Sequence, residues 1–240
     1  MNQLNERELL LKRLRAGARI LVLGDSLAVG MGCSGSFDTG ELLLAYDGDS
    51  YTRWHAPHGW TQTVKAYLDA EFPGCTLINR GCSGIYSYQL LGGLSQVYDG
   101  NADIVLLLVG INDRKRENGP AELEKSLAAL IARFRADGAV PVLITPNPST
   151  KENEMLPTRI HHSEDIIPII RAAAERWDVI LADCWTQITQ YSLRTGESID
   201  ALMREEGCLS DGLHPTDRVY RIMASCILRA MGLTGQGIIM

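Results

Sequence analysis

The stretch Arg19–Leu27 reads Arg-Ile-Leu-Val-Leu-Gly-Asp-Ser-Leu. Its apolar run, Ile20–Leu23, stops abruptly at a glycine. The run shows no alternation with polar residues, so a strand made of it carries apolar side chains on both faces, and both must be covered. The same pattern returns at Thr76–Asn79, Asp103–Val109, Val140–Thr145 and Val179–Asp183, each run ended by Gly, Pro, Asn or Asp. Short apolar runs of this kind read as strands of a parallel sheet. Between them lie segments with helical periodicity: Thr61–Phe72, Ser87–Tyr98, Ala121–Ala136 (opened by Pro120 and closed near Gly138), Ser163–Trp177 and Thr216–Met231. Residues 2–16 set Leu4, Leu9–Leu11 and Leu14 among charges, which predicts an amphipathic helix on the outside of the domain. Strands alternating with helices imply right-handed crossovers and a three-layer α/β/α fold with a five-stranded parallel sheet. No repeat, low-complexity tract or linker divides residues 1–240, so a single domain is expected.

Two stretches break the alternation. Residues 31–58 are rich in Gly, Ser and Asp, with Phe37, Tyr46, Tyr51 and Trp54 among them, and residues 146–162 contain three prolines. Both read as long loops. Both follow a predicted strand, which places them at the carboxyl edge of the sheet, where α/β proteins bind ligands.

Composition narrows the function classes. The 240 residues are 45% hydrophobic and 22% charged, with a net charge of −6. A chain of this size needs no metal or disulfide to fold. The acidic balance weighs against a nucleic-acid partner, which calls for a basic face, and against an anionic membrane surface. The longest apolar run, Ile104–Val109, is far short of the roughly 20 residues that span a bilayer, and the charged N-terminus is not a signal peptide. A cytoplasmic location is the expectation. Cysteines 33, 75, 82, 184, 208 and 226 form no CxxC pair and read as free thiols in a reducing compartment, with disulfides in a secreted protein as the alternative.

The residues able to carry chemistry converge on one edge. Ser26 follows the first strand directly, behind a glycine that allows a sharp turn; its plain alternative is a helix cap. Gly81, in Asn79–Gly84, brings a backbone N–H to the end of the second strand, or simply makes a tight turn. Cys82 and Ser83 beside it have no nearby base and read as turn or packing residues. Asn112, in Gly110-Ile111-Asn112-Asp113, offers an amide donor after the third strand, or an Asx turn. Last comes Asp211-Gly212-Leu213-His214-Pro215. An aspartate three residues before a histidine reaches its Nδ1–H, which fixes the tautomer and leaves Nε2 as a base.

These four blocks, in this order and spread over residues 20–216, resemble the SGNH (GDSL-type) hydrolase family. The resemblance implies a flavodoxin-like three-layer fold and a serine esterase mechanism without metal or cofactor. It implies Ser26 as nucleophile, His214 as base and Asp211 as the partner of His214. It also implies an oxyanion hole made by the backbone N–H groups of Ser26 and Gly81 and the side chain of Asn112. A serine hydroxyl is a poor nucleophile until a base takes its proton, so the residues present suit that chemistry. The Gly-x-Ser-x-Gly elbow of α/β-hydrolases is absent around Ser26.

Other candidates carry less. His55 and His58, like the pair His161-His162, lack a third ligand at metal-binding spacing, and no metal is expected. Trp54, His55 and His58 are instead candidates to line a substrate cleft, while Trp60 reads as the first core residue of its helix. Arg114, Lys115 and Arg116 read as a solvated helix start, with attraction of an anionic substrate as the sharper alternative. No phosphate-cradling loop is present. The expected substrate is a small acyl ester, with an O-acetylated carbohydrate first. A lysophospholipase or thioesterase activity, or a non-catalytic carbohydrate-binding domain on the same fold, are the alternatives. The tail Leu233–Met240 would either pack on a neighbouring copy, making a homodimer, or fray.

Overall fold

The computed structural model describes residues 3–233. In chain order its elements are α1 (Gln3–Arg15), β1 (Arg19–Gly24), α2 (Ser26–Val29), β2 (Phe37–Tyr46), β3 (Asp49–His55), α3 (Trp60–Glu71), β4 (Thr76–Asn79), α4 (Ser87–Gly92), α5 (Leu94–Val97), β5 (Ile104–Leu108), α6 (Gly119–Ala136), β6 (Val140–Ile144), α7 (Lys151–Glu154), α8 (Ser163–Arg176), β7 (Ile180–Ala182), α9 (Cys184–Thr195), α10 (Ile199–Leu202) and α11 (Asp217–Ala230). A 3-10 turn, Asp113–Lys115, follows β5. The five predicted strands form one parallel sheet in the order β4-β1-β5-β6-β7. The chain leaves β1 first toward one edge and then returns to build the other. The crevice at such a reversal is the ligand-binding position of open α/β sheets.

The unbroken apolar runs are explained by which layer each residue enters. Ile20 and Val22 of β1, Ile104, Leu106 and Leu108 of β5, and Val140 and Val142 of β6 pack against α1, α3, α9 and α11. Their neighbours Leu21, Leu23, Val105, Leu107 and Leu143 point the other way, into a second core under α4, α5, α6 and α8. Successive strand residues face opposite sides, so every position of a doubly covered strand is apolar.

The structure corrects the reading of residues 31–58 as an irregular loop. Most of that stretch is an antiparallel hairpin, β2–β3, turning at Asp47-Gly48. Both turn residues have positive φ (54° and 83°), the backbone of a two-residue hairpin turn that Asp-Gly favours. The alternation is blurred because the register shifts twice, between Asp38 and Leu42 and again between Leu42 and Leu44. The predicted helix Ser87–Tyr98 is likewise two helices, broken at Gly93. The hairpin lies on this break. A Cβ at Gly92 would stand 2.2 Å from the Tyr46 ring, and one at Gly93 2.8 Å from Leu44. Gln96 completes the joint, donating to Ala45 O and accepting from Ala45 N, each at 3.0 Å. The 146–162 segment contains the short helix α7, and α9 and α10 form where the sequence suggested no element. Leu233 is buried. Residue 2 of the first predicted helix and residues 234–240 of the tail lie outside the described residues, and so does the choice between packing on a second copy and fraying.

The turn from β1 into α2 is held by buried side chains on both sides. Asp25 caps α2, its Oδ1 accepting from Leu27 N at 2.9 Å. Trp60 supports α2 from below: it is fully buried and its Nε1–H donates to Leu27 O at 2.9 Å. Asp25 is also fully buried, and its Oδ2 has no hydrogen-bond partner among the described residues. Burial, together with the nearby Asp113 charge and against the Leu27 hydrogen bond, pushes its carboxyl up to about 7.

Trp60→Ala removes a filled volume and a hydrogen bond, and should cost about 3–5 kcal/mol in urea unfolding; a loss below about 1 kcal/mol would contradict the packing described. Asp25 binds its proton more tightly folded than unfolded. Its contribution is therefore full at acid pH and is lost as pH rises from the ordinary aspartate value, 3.8, through about 7. Asp25→Asn keeps the Oδ1 acceptor without the charge, so its Tm should gain on the wild type between about pH 4.5 and about pH 8. A constant Tm difference across that range would count against a raised Asp25.

Candidate active site

Three loops meet beyond the carboxyl ends of β4, β1 and β5. Ser26 begins α2 directly after β1, Gly81 follows β4, and Asn112 follows β5. A fourth segment, Asp211–Thr216, arrives ahead of α11 and places His214 over Ser26. Ser26 Oγ donates to His214 Nε2 at 2.9 Å. His214 Nδ1 donates to Asp211 Oδ2 at 2.7 Å, the tautomer following from a carboxylate that only accepts. The other carboxylate oxygen of Asp211 accepts the backbone N–H groups of Leu213 and His214, both at 2.9 Å. Burial raises the Asp211 carboxyl, but the hydrogen bonds and charge of His214 outweigh it and hold Asp211 down to about 2. The aspartate therefore stays ionised behind the imidazole. Ser26 and His214 are 4% and 8% exposed, enough to be reached and too little to be freely solvated.

Asn112 is buried at the side of this trio. Its Nδ2 donates to Ile85 O at 3.2 Å, and its Oδ1 accepts from Lys115 Nζ at 2.7 Å. Gly81 needs to be glycine for space: a Cβ would sit 2.9 Å from Val29 N in α2. Its N–H donates to Asn79 Oδ1 at 2.9 Å, while Asn79 Nδ2 donates to Ala28 O, also at 2.9 Å. Asn79 thus ties the end of β4 to the helix that carries Ser26.

The structure does not join Trp54, His55 or His58 to the trio. Trp54 and His55 lie on β3 opposite Asp38 and Phe37, and the His55 ring packs on Phe37 with centroids 5.0 Å apart. His58 is exposed between β3 and α3. Among the described residues no hydrogen bond, ion pair or ring contact links these three to Ser26, Asp211 or His214. Nor is there, among the described residues, a group of three His, Cys, Asp or Glu placed to hold a metal. The six cysteines are unpaired.

Arg114 and Lys115 are not the solvated helix start expected of them. Arg114 is fully buried and bonds Glu154 (2.6 Å), Asn153 Oδ1 (2.8 Å) and Ser163 Oγ (2.9 Å). Asn153 in turn donates to Asp211 O at 3.1 Å, and Thr150 N to Gly212 O at 2.8 Å. One arginine therefore braces the 146–162 segment against the loop bearing Asp211 and His214. Residues 31–36 clamp the other side: Gly32 lies so close to His214 that a Cβ would stand 2.5 Å from its Cβ. Tyr220 Oη donates to Met31 O at 2.6 Å, and Ser34 donates from N and Oγ to Asp217 at 2.8 and 2.6 Å. The sequence carried no local signal for these braces, because each joins residues far apart in the chain.

Comparison with known proteins places the chain in a family. The family model described as GDSL-like Lipase/Acylhydrolase matches residues 22–222. No curated protein sequence matches the chain. Among solved structures, an alpha/beta hydrolase enzyme from the metagenome of Lake Arreo, Spain, is 24% identical with a TM-score of 0.67, covering 92% of this chain and 97% of that one. An acetylxylan esterase from Geobacillus stearothermophilus is 20% identical with a TM-score of 0.65, covering 92% and 97%. Structures described as catalytic mutants of that esterase replace a serine, an aspartate or a histidine. No helix among the described residues is long and apolar enough to cross a membrane. With the matched region spanning all four site segments, the chain belongs to the GDSL-like lipase/acylhydrolase family and is a carboxylic ester hydrolase on the three-layer fold with a five-stranded parallel sheet.

Proposed function

We propose that this chain cleaves small acyl esters through an acyl-enzyme on Ser26, and that its substrates are O-acetylated carbohydrates. The continuous Ser26–His214–Asp211 hydrogen-bond relay carries this reading. His214 Nε2 takes the hydroxyl proton as Ser26 Oγ attacks the ester carbonyl. Asp211, held ionised, steadies the imidazolium that forms. The tetrahedral oxyanion is received by the backbone N–H of Ser26, by the Asn112 Nδ2–H not used on Ile85, and by Gly81 N–H. The last already serves Asn79, so it acts as a shared donor. His214 then protonates the leaving alkoxide. Water, activated by the same histidine, releases the acid in the second half-reaction.

The carbohydrate assignment draws on the likeness to an acetylxylan esterase and on the makeup of the β2–β3 hairpin. There Trp54, His55 and exposed Phe37 stand among Asp38, Thr39, Glu41 and Arg53. Aromatic faces between hydrogen-bonding side chains suit sugar rings. A longer acyl chain is the second reading, as for a lysophospholipase or thioesterase, because Phe37 and Leu42 on the hairpin and Met155 and Ile160 on the 146–162 segment are exposed apolar side chains.

Kinetics on p-nitrophenyl esters test both levels. Ser26→Ala and His214→Ala should each lower kcat by about 10³-fold or more without a change in Tm, and Asp211→Asn by somewhat less. Activity within tenfold of the wild type would sink the relay. Across chain lengths, acetate should turn over fastest, with octanoate at least tenfold slower. The reverse order would replace the acetyl reading by the long-chain one. Acetate release from acetylated xylo-oligosaccharides should exceed release from the p-nitrophenyl ester in kcat/KM.

A further inference from the structure

We propose that Lys115 is a positioning residue of the oxyanion hole, its ammonium fixing which way the Asn112 amide faces. The inference rests on the reading above that Asn112 donates to the oxyanion. A carboxamide can sit in two orientations of nearly the same shape, one presenting N–H groups where the other presents oxygen. In the wrong orientation Asn112 would turn an oxygen lone pair toward a developing negative charge. Two partners decide between them. Lys115 Nζ is a pure donor and stands 2.7 Å from one end of the amide, which must therefore be Oδ1. Ile85 O is a pure acceptor 3.2 Å from the other end, which must be Nδ2. The second Nδ2–H is left without a partner among the described residues, and it is the donor the reaction needs. The backbone closes the same unit, Lys115 N donating to Asn112 O at 2.9 Å across the 3-10 turn. The lysine and the asparagine are thus joined through both backbone and side chain on one turn, and the positive charge stands one amide group away from the oxyanion.

The surroundings of Lys115 show what the charge has to withstand. The carboxylate of Asp25, from the end of β1, attracts it. Arg114, on the same turn, and Arg159, from the 146–162 segment, repel it. Burial and these two guanidiniums lower the Lys115 pKa despite Asp25. The ammonium is accordingly lost earlier on the alkaline side than that of an ordinary lysine, and its grip on Oδ1 weakens with it. Run-of-the-mill structural support would give no such alkaline dependence of turnover.

A double-mutant cycle in the full chain tests this with p-nitrophenyl acetate. Asn112→Ala should lower kcat by about 10²–10³-fold. Lys115→Met, close in shape but unable to donate, should lower kcat by about 10–100-fold with KM within about twofold; the wild type should show an alkaline fall in kcat that Lys115→Met lacks. In the Asn112→Ala background Lys115→Met should have no further effect, because its target is gone. Lys115→Gln, which retains a donor, should be more active than Lys115→Met. A Lys115→Met enzyme within twofold of the wild type, or losses that multiply in the double variant, would overturn the role of Lys115 while leaving the oxyanion reading intact. Unimpaired Asn112→Ala would overturn the oxyanion reading itself. If Lys115→Met does not fold, Lys115→Gln carries the comparison, and its kcat within twofold of the wild type with an unchanged alkaline limb would likewise overturn the proposal.

Discussion

At the carboxyl end of β1 the backbone of Gly24 passes so close to β5 that an added Cβ would stand 1.7 Å from Leu108 O. The φ of this residue, +140°, is one that side-chain-bearing residues rarely adopt. Asp25 N then donates to that same Leu108 carbonyl at 3.0 Å, and Gly24 O accepts Cys82 N from the β4 side at 2.8 Å. One turn thereby pins the ends of three adjacent strands together. The serine two residues later, the glycine turn after β4 and the asparagine after β5 inherit their mutual placement from it. The site is precise because it is built on strand ends whose own positions are set by burial on both faces.

The acid–base arm depends on a different kind of constraint. Asp211 and His214 stand on a loop with no sheet beneath it, and the loop is held by polar contacts from two directions. Arg114, buried, reaches through Asn153 to the backbone of Asp211, and residues 31–36 close over His214 from the other side. A buried guanidinium costs several kcal/mol unless fully paired. Here Glu154, Asn153 and Ser163 satisfy its terminal nitrogens, Nε being left without a partner among the described residues, and the outcome is a link between the β5 loop and the histidine loop. The run Asn112–Lys115 is therefore more than a turn: Asn112 is the proposed oxyanion donor, Asp113 accepts from Ser87, Arg114 braces the opposite loop and Lys115 donates to Asn112 Oδ1.

The sheet and the Asp211–His214 pair were legible in the sequence because each rests on a short-range pattern, whereas Ser26, 188 residues from His214, was joined to them only through the resemblance of the four blocks to a known family. An apolar run ended by glycine is a buried parallel strand, and Asp-x-x-His is a local hydrogen-bonded turn. The hairpin was also written there, as Asp47-Gly48, but two register shifts hid its alternation and glycine-rich composition suggested a loop. Helix α9 was missed because its buried face is narrow, with Cys184 and Ile188 its buried residues. Arg114 and Lys115 were misread for a physical reason. A charged triplet after a strand is usually solvated, and nothing local reveals that Glu154, Asn153 and Ser163 arrive from 39 to 49 residues away to bury it. The candidate substrate residues Trp54, His55 and His58 proved to belong to the hairpin and its exit, apart from the trio's hydrogen bonds.

An acyl-enzyme on Ser26 Oγ, and on no other nucleophile, is the step on which the proposed function stands. Rapid quenching of the enzyme during turnover of an ester labelled in its acyl group, followed by peptide mass mapping, tests it most directly. The Ser26–His214–Asp211 relay predicts a labelled peptide carrying the acyl group on Ser26, formed in the wild type and absent in His214→Ala. Label on another residue, such as Ser83 or Cys82, or steady turnover with no covalent label at all, would contradict it.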